Sequence, residues 1–141
     1  MLTFLNQYRD IGLLVLRIGI GSMFLFHGVP KILGGVMVWE KVGLAMASVG
    51  ILFMPVFWGL LAALSEFIGG LCMILGLFFR PACISLVMTM AVAAVMHLSE
   101  GQGLGAASHA IENGIVFLSL ILIGPGKHAL DEKLKPETSV R

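Results

Sequence analysis

Apolar and polar positions along the chain fall into four long apolar windows, residues 11–29, 56–79, 82–98 and 110–124, parted by short stretches rich in Gly, Pro and charge. A helix that crosses a bilayer needs ~20 apolar residues, so each window is near spanning length, the last two borrowing a turn from their flanks. The pattern predicts an all-α integral membrane four-helix bundle, a single domain over residues 1–141. Between the first two windows, residues 30–55 begin and end on proline and are interrupted by Glu40 and Lys41. This segment reads as a loop holding a short interfacial helix. A fifth span through residues 36–54 is the rival reading, against which the apolar part, residues 42–54, is too short. Phe79-Arg80-Pro81 predicts a tight hairpin with Pro81 in the first turn of the next helix. Residues 99–109 read as a flexible loop, and Gly124-Pro125-Gly126 stops the last helix before a polar tail, residues 125–141.

Composition agrees. Hydrophobic residues make up 58% of the chain, charged residues 12%, and the mean hydropathy is +1.00, whereas a soluble domain carries roughly twice that charge. The lipid bilayer is therefore the first partner. A formal net charge of +1 offers no basic surface for nucleic acid. Cys72 and Cys83 form no CxxC and no ligand cluster, so no metal site or disulfide is expected, and both read as small apolar fillers.

Basic residues set the expected orientation. Arg9, Arg80, Lys127, Lys133, Lys135 and Arg141 fall on one side of a four-span topology, Lys31 and Lys41 on the other. That bias predicts an inner (plasma) membrane protein with both termini cytoplasmic. Arg17 breaks the first apolar run and no A-x-A site follows, so this run is expected to stay as the first helix.

The charged residues inside the windows are the candidate chemistry. Glu66 stands in a run, residues 56–79, with no other charge, and a carboxylate at that depth is costly unless it has a partner or a function. At ~100° per residue it shares a face with Gly59, Ala62, Ala63, Gly69, Gly70 and Met73, while Leu60, Leu61, Leu64, Phe67 and Leu71 point elsewhere. Small residues allow close helix packing, so the Glu66 face is expected inside the bundle. Arg17 lines up with Asp10, Gly21 and Gly28, His97 with Met90, Ala93 and Ala94, and Glu112 with Ser108, His109 and Ser119. At ~1.5 Å per residue from the cytoplasmic ends, His27, His97 and His109 stand about 22–24 Å up, Glu66 and Glu112 about 18–20 Å and Arg17 about 9 Å. The expectation is a polar layer in the outer half, with His27, Glu66, His97 and Glu112 as ligand-binding residues. Arg17 is their charge partner, in an ion pair with Glu66 or Glu112. The bland alternative is an ion pair that only fixes helix register, with histidines at the bilayer edge.

LRIGIGSMFLFHGVPKILGG, SEFIGGLCMILGLFFRP, MHLSEG and HAIENGIVFLSLILIGPGKHALD resemble the DoxX family of small four-helix membrane proteins, over nearly the whole chain. The resemblance rests on HG-x-x-K in the first helix, E-x-x-GG-x-x-x-x-LG with its RP, and the final E followed by GPG and LD. Ala129 stands where the family often has Ser, so no role follows for a hydroxyl there. The family is named for a subunit of an archaeal thiosulfate:quinone oxidoreductase, and the resemblance implies a redox-associated inner-membrane protein. Its matching polar residues are Arg17, His27, Lys31, Glu66, Arg80, His97 and Glu112, and no catalytic role is carried over for any of them.

Three functions compete at this point. One is a redox-associated subunit binding a quinone, whose carbonyls need hydrogen-bond donors and a proton route that His27, Glu66, His97 and Glu112 could provide. No nucleotide, flavin or iron–sulfur motif is present, so its electrons would come from a redox partner subunit. The others are a small-molecule or proton pathway, and a structural membrane subunit, with homo-oligomers compatible with each. Haem held by His27 with His97 or His109 is disfavoured, because bis-histidine ligation demands facing geometry.

Overall fold

The computed structural model describes residues 3–134. A 3₁₀ turn, Thr3–Tyr8, leads into α1 (Arg9–Leu33), followed by α2 (Gly35–Gly43), a 3₁₀ helix (Leu44–Val49), α3 (Pro55–Leu75), α4 (Phe79–Ser99), α5 (Gly103–Ile123) and the short α6 (Leu130–Lys133). No strand occurs among the described residues. Among the described residues four helices are long and apolar enough to cross a membrane: Phe4–Leu33, α3, α4 and α5. The protein is an all-α, multi-pass membrane bundle.

Several boundaries differ from the sequence windows. Helix α1 runs through Pro30 to Leu33. A proline within four residues of a helix end removes one hydrogen bond, and neighbouring helices offset that loss. The segment 36–54 divides into α2 and the 3₁₀ helix, neither of spanning length, which removes the fifth span. Residues 99–109 are mostly helical: only Glu100–Gln102 link α4 to α5. Of the polar tail, residues 135–141 lie outside the described residues.

The small residues on α1 and α3 explain how these two helices meet. A Cβ on Gly21 would lie 2.8 Å from the Gly70 carbonyl, and one on Gly28 would lie 2.7 Å from the Phe67 nitrogen. The backbones therefore touch, and without glycine the helices would be pushed apart. Above this crossing α2 continues antiparallel along α3, where any Cβ on Gly43 or Gly59 would overlap the backbone of Pro55 or Trp39. The inward face read for α3 is the one observed: Gly59, Ala63, Glu66, Gly69, Gly70 and Met73 are buried. Leu86, Met90, Phe117 and Leu120 of α4 and α5 complete the core, and Phe24 meets Phe117 edge to face at 4.9 Å between ring centroids.

Helix α5 is turned the other way from expectation. Its buried residues are Ala107, Ala110, Phe117 and Leu120, while Glu112 and Ser119 are exposed. The apolar stripe packs on α4 and the polar stripe faces outward. Ser108 and Ser119 give their hydroxyl hydrogens to carbonyls of their own helix, Gly105 and Ile115.

Candidate functional site

Helices α2, α3 and α4, with the 3₁₀ helix after α2, enclose a groove of about 1120 Å³. Apolar side chains dominate it, among them Leu61, Ile68, Met88, Val92 and Met96. The polar groups on its wall are few: Lys31, Lys41, Trp58, Ser65, Glu66, Thr89 and His97 among them.

Glu66 is 3% exposed, and Lys31 supplies its partner. Lys31 Nζ donates to both carboxylate oxygens at 2.6 Å. The lysine sits in the last turn of α1, where the glycine crossing has already brought that helix onto Glu66 and Phe67. Trp39 Nε1 donates to the Lys31 carbonyl at 2.9 Å, tying α2 to the same turn. Lys31 keeps 30% of its side chain exposed against 5% for Glu66. An ammonium has three N–H donors, so one remains after Glu66 takes two.

Beside it on the same wall Thr89 donates to Ser65 Oγ at 3.1 Å. At the end of α4, His97 Nδ1 lies 2.7 Å from Gln102 Oε1, and Gln102 in turn donates to Glu100. The Trp58 indole N–H is buried and has no hydrogen-bond partner among the described residues.

Arg17 does not make the ion pair expected of it. It is 1% exposed and donates to the carbonyls of Met73, Ile74 and Pro125 at 2.9–3.0 Å. These carbonyls end α3 and form the Gly124–Gly126 turn, and a cation suits the negative end of a helix. Glu66 lies eight residues above Ile74, about 12 Å along α3, which puts it beyond an arginine engaged at the helix end. Asp131 completes this lower layer by accepting from the Phe78 and Phe79 N–H groups at 2.9 and 2.8 Å. Phe78 has φ +47°, a left-handed backbone that a bulky residue adopts only when held.

The nominated residues thus occupy separate faces. Glu66 and His97 line the groove. His27 of α1 and His109 of α5 lie outside it, both exposed, with ring centroids 6.0 Å apart. Glu112 also points outward. Lys31 is the groove residue that sequence reasoning left out, because it was counted with the outer loop. The signal was present in HG-x-x-K, which places Lys31 one turn beyond His27 on the same helix.

A family model for DoxX matches residues 12–98. The chain belongs to the DoxX family. The DoxX match runs from α1 through α4, so it contains the glycine crossing, the Lys31–Glu66 pair and the groove walls, whereas α5 lies beyond it. The chain is also 32% identical over 136 residues, 92% of its length and 95% of the relative's, to an uncharacterized protein of Haemophilus influenzae. No solved structure matches it.

Proposed function

We propose that this DoxX protein is a redox-associated membrane subunit that binds a quinone in the groove between α2, α3 and α4. The observation that carries the reading is a mostly apolar groove with a carboxylate–ammonium pair on its wall. The donor set fits a quinone: the lining suits an isoprenoid tail, and the spare Lys31 N–H suits a carbonyl oxygen. A bound quinone supplies reversible uptake of electrons and protons. Glu66 sets the position of Lys31 and keeps the pair neutral, and His97, beside Gln102, is placed to exchange protons with water at the groove's end. Electrons come from a redox partner subunit in this reading. Both termini lie in the cytoplasm, from the basic-residue bias.

The test is purification with native lipid, followed by organic extraction and mass spectrometry. Co-purifying quinone and saturable binding of a short-chain quinone in nanodiscs, both lost in Lys31→Met, are expected. Stable protein that neither retains nor binds quinone would leave the second reading, a structural subunit or a non-enzymatic pathway. The Lys31–Glu66 contact favours that reading too, since it also fixes α1 against α3. Orientation is checked by cysteine labelling of intact cells after Cys72 and Cys83 are replaced: Gln102→Cys should react from outside, and Lys133→Cys should not.

A further inference from the structure

The outer face of α5 is unlike the other lipid-facing surfaces. Gly105, Ser108, Glu112, Ile115, Ser119 and Leu122 recur at alternating steps of three and four residues. All are exposed except half-buried Ser108. They form a seam of 18 residues, about 27 Å long at 1.5 Å per residue, close to the thickness of a bilayer's hydrocarbon core. The outer stripe of α4 has the same spacing but consists of Ile84, Met88, Ala91, Val95 and Leu98, side chains at ease in lipid. The α5 seam instead alternates small or polar residues with Ile115 and Leu122.

Its centre is Glu112, midway along the helix. No hydrogen bond or salt bridge reaches its carboxyl from the described residues, and a carboxyl facing hydrocarbon at that depth is costly. His109, one turn above, and His27, in ring contact with it, also have side chains without a polar partner among the described residues. The surface thus carries an acid, two imidazoles and small residues at close-packing positions, and nothing among the described residues covers it.

We propose that this face is the interface of a homodimer, in which α5 packs against α5 of a second copy about a two-fold axis along the membrane normal. The heptad spacing suits two parallel helices with knobs in holes, and Gly105, Ser108 and Ser119 let the backbones approach. The axis sets the two Glu112 side chains opposite each other. There each Glu112 side chain meets polar groups of the other copy in place of hydrocarbon. The His109 rings lie one turn above on the same face and supply the remaining donors. A second copy fits better than lipid because the face is self-complementary: it holds both the acceptor and the donors that it leaves unmet.

The test uses the full-length chain with Cys72 and Cys83 replaced by alanine. Single Ile115→Cys and Ser119→Cys variants are oxidised in native membranes beside Ile84→Cys on the outer stripe of α4. Disulfide-linked dimers are expected for the first two and not for the third. In native mass spectrometry from nanodiscs, Glu112→Gln should keep the dimer, since an amide pair still hydrogen-bonds across the axis, and Glu112→Ala should reduce the dimer fraction about tenfold. Monomers throughout, equal cross-linking at all three sites, or cross-linking of Ile115→Cys to a different subunit would each overturn the proposal. Quinone binding plays no part in these readouts, so they stand apart from the groove's function.

Discussion

Lys31 on α1 and Glu66 on α3 are joined at 2.6 Å through both carboxylate oxygens, on the wall of an apolar groove. Glycines below them set this contact, because the backbones of α1 and α3 touch where Gly21 and Gly28 meet Gly70 and Phe67. Helix crossing, ion pair and groove are one construction.

Removing one member of the pair should therefore cost stability. A fully buried broken pair costs ~3–5 kcal/mol and a surface pair ~0–1, and the partly open Lys31 places Glu66→Gln at about 2 kcal/mol. Thermal unfolding in detergent should show the loss, with most of it recovered in Glu66→Gln with Lys31→Met. A double mutant no more stable than the single one would mean that the two residues are not coupled.

Arg17 should behave as an independent anchor. Charge-assisted hydrogen bonds contribute ~1.5–3 kcal/mol each, so Arg17→Met, which removes three, should destabilise by about 4 kcal/mol or more. Arg17→Lys should keep part of this through its charge. In a double-mutant cycle Arg17→Lys and Glu66→Gln should add within ~0.5 kcal/mol, as separated sites do. Strong coupling between them would restore the direct pairing that the carbonyl contacts replace.

The glycine crossing predicts an asymmetry between neighbours. Gly70→Leu drives a side chain into the Gly21 carbonyl, 2.8 Å from where its Cβ would lie, and should prevent assembly or lower the unfolding temperature sharply. Leu71→Ala, at a residue that is 38% exposed, should change stability by less than ~1 kcal/mol. Comparable losses in size-exclusion profile and melting temperature would refute the assigned inward face.

Trp58 offers a change in the opposite direction. Its buried N–H lacks an acceptor among the described residues, and an unmet buried donor costs ~1–3 kcal/mol. Trp58→Phe removes the donor and keeps an aromatic ring, so the ligand-free protein should be at least as stable as the parent. A clear fall in melting temperature would show that the indole N–H has a bonding role.

By itself the sequence determined the class of protein, the number of long apolar helices and the inward face of α3. Each follows from local quantities: the run of apolar residues a bilayer requires, and the helical period that collects Gly59, Ala63, Glu66, Gly69, Gly70 and Met73 on one side. Only the tertiary structure decided which groups meet across helices. Period fixes which residues share a face, but neither the rotation of that face towards its neighbours nor the axial offset between helices. Two misreadings have that origin. The polar stripe of α5 turned outward because its alanine and phenylalanine stripe packs on α4. Arg17 meets the end of α3, and Lys31 meets Glu66, because the antiparallel crossing at Gly21 and Gly28 sets those heights.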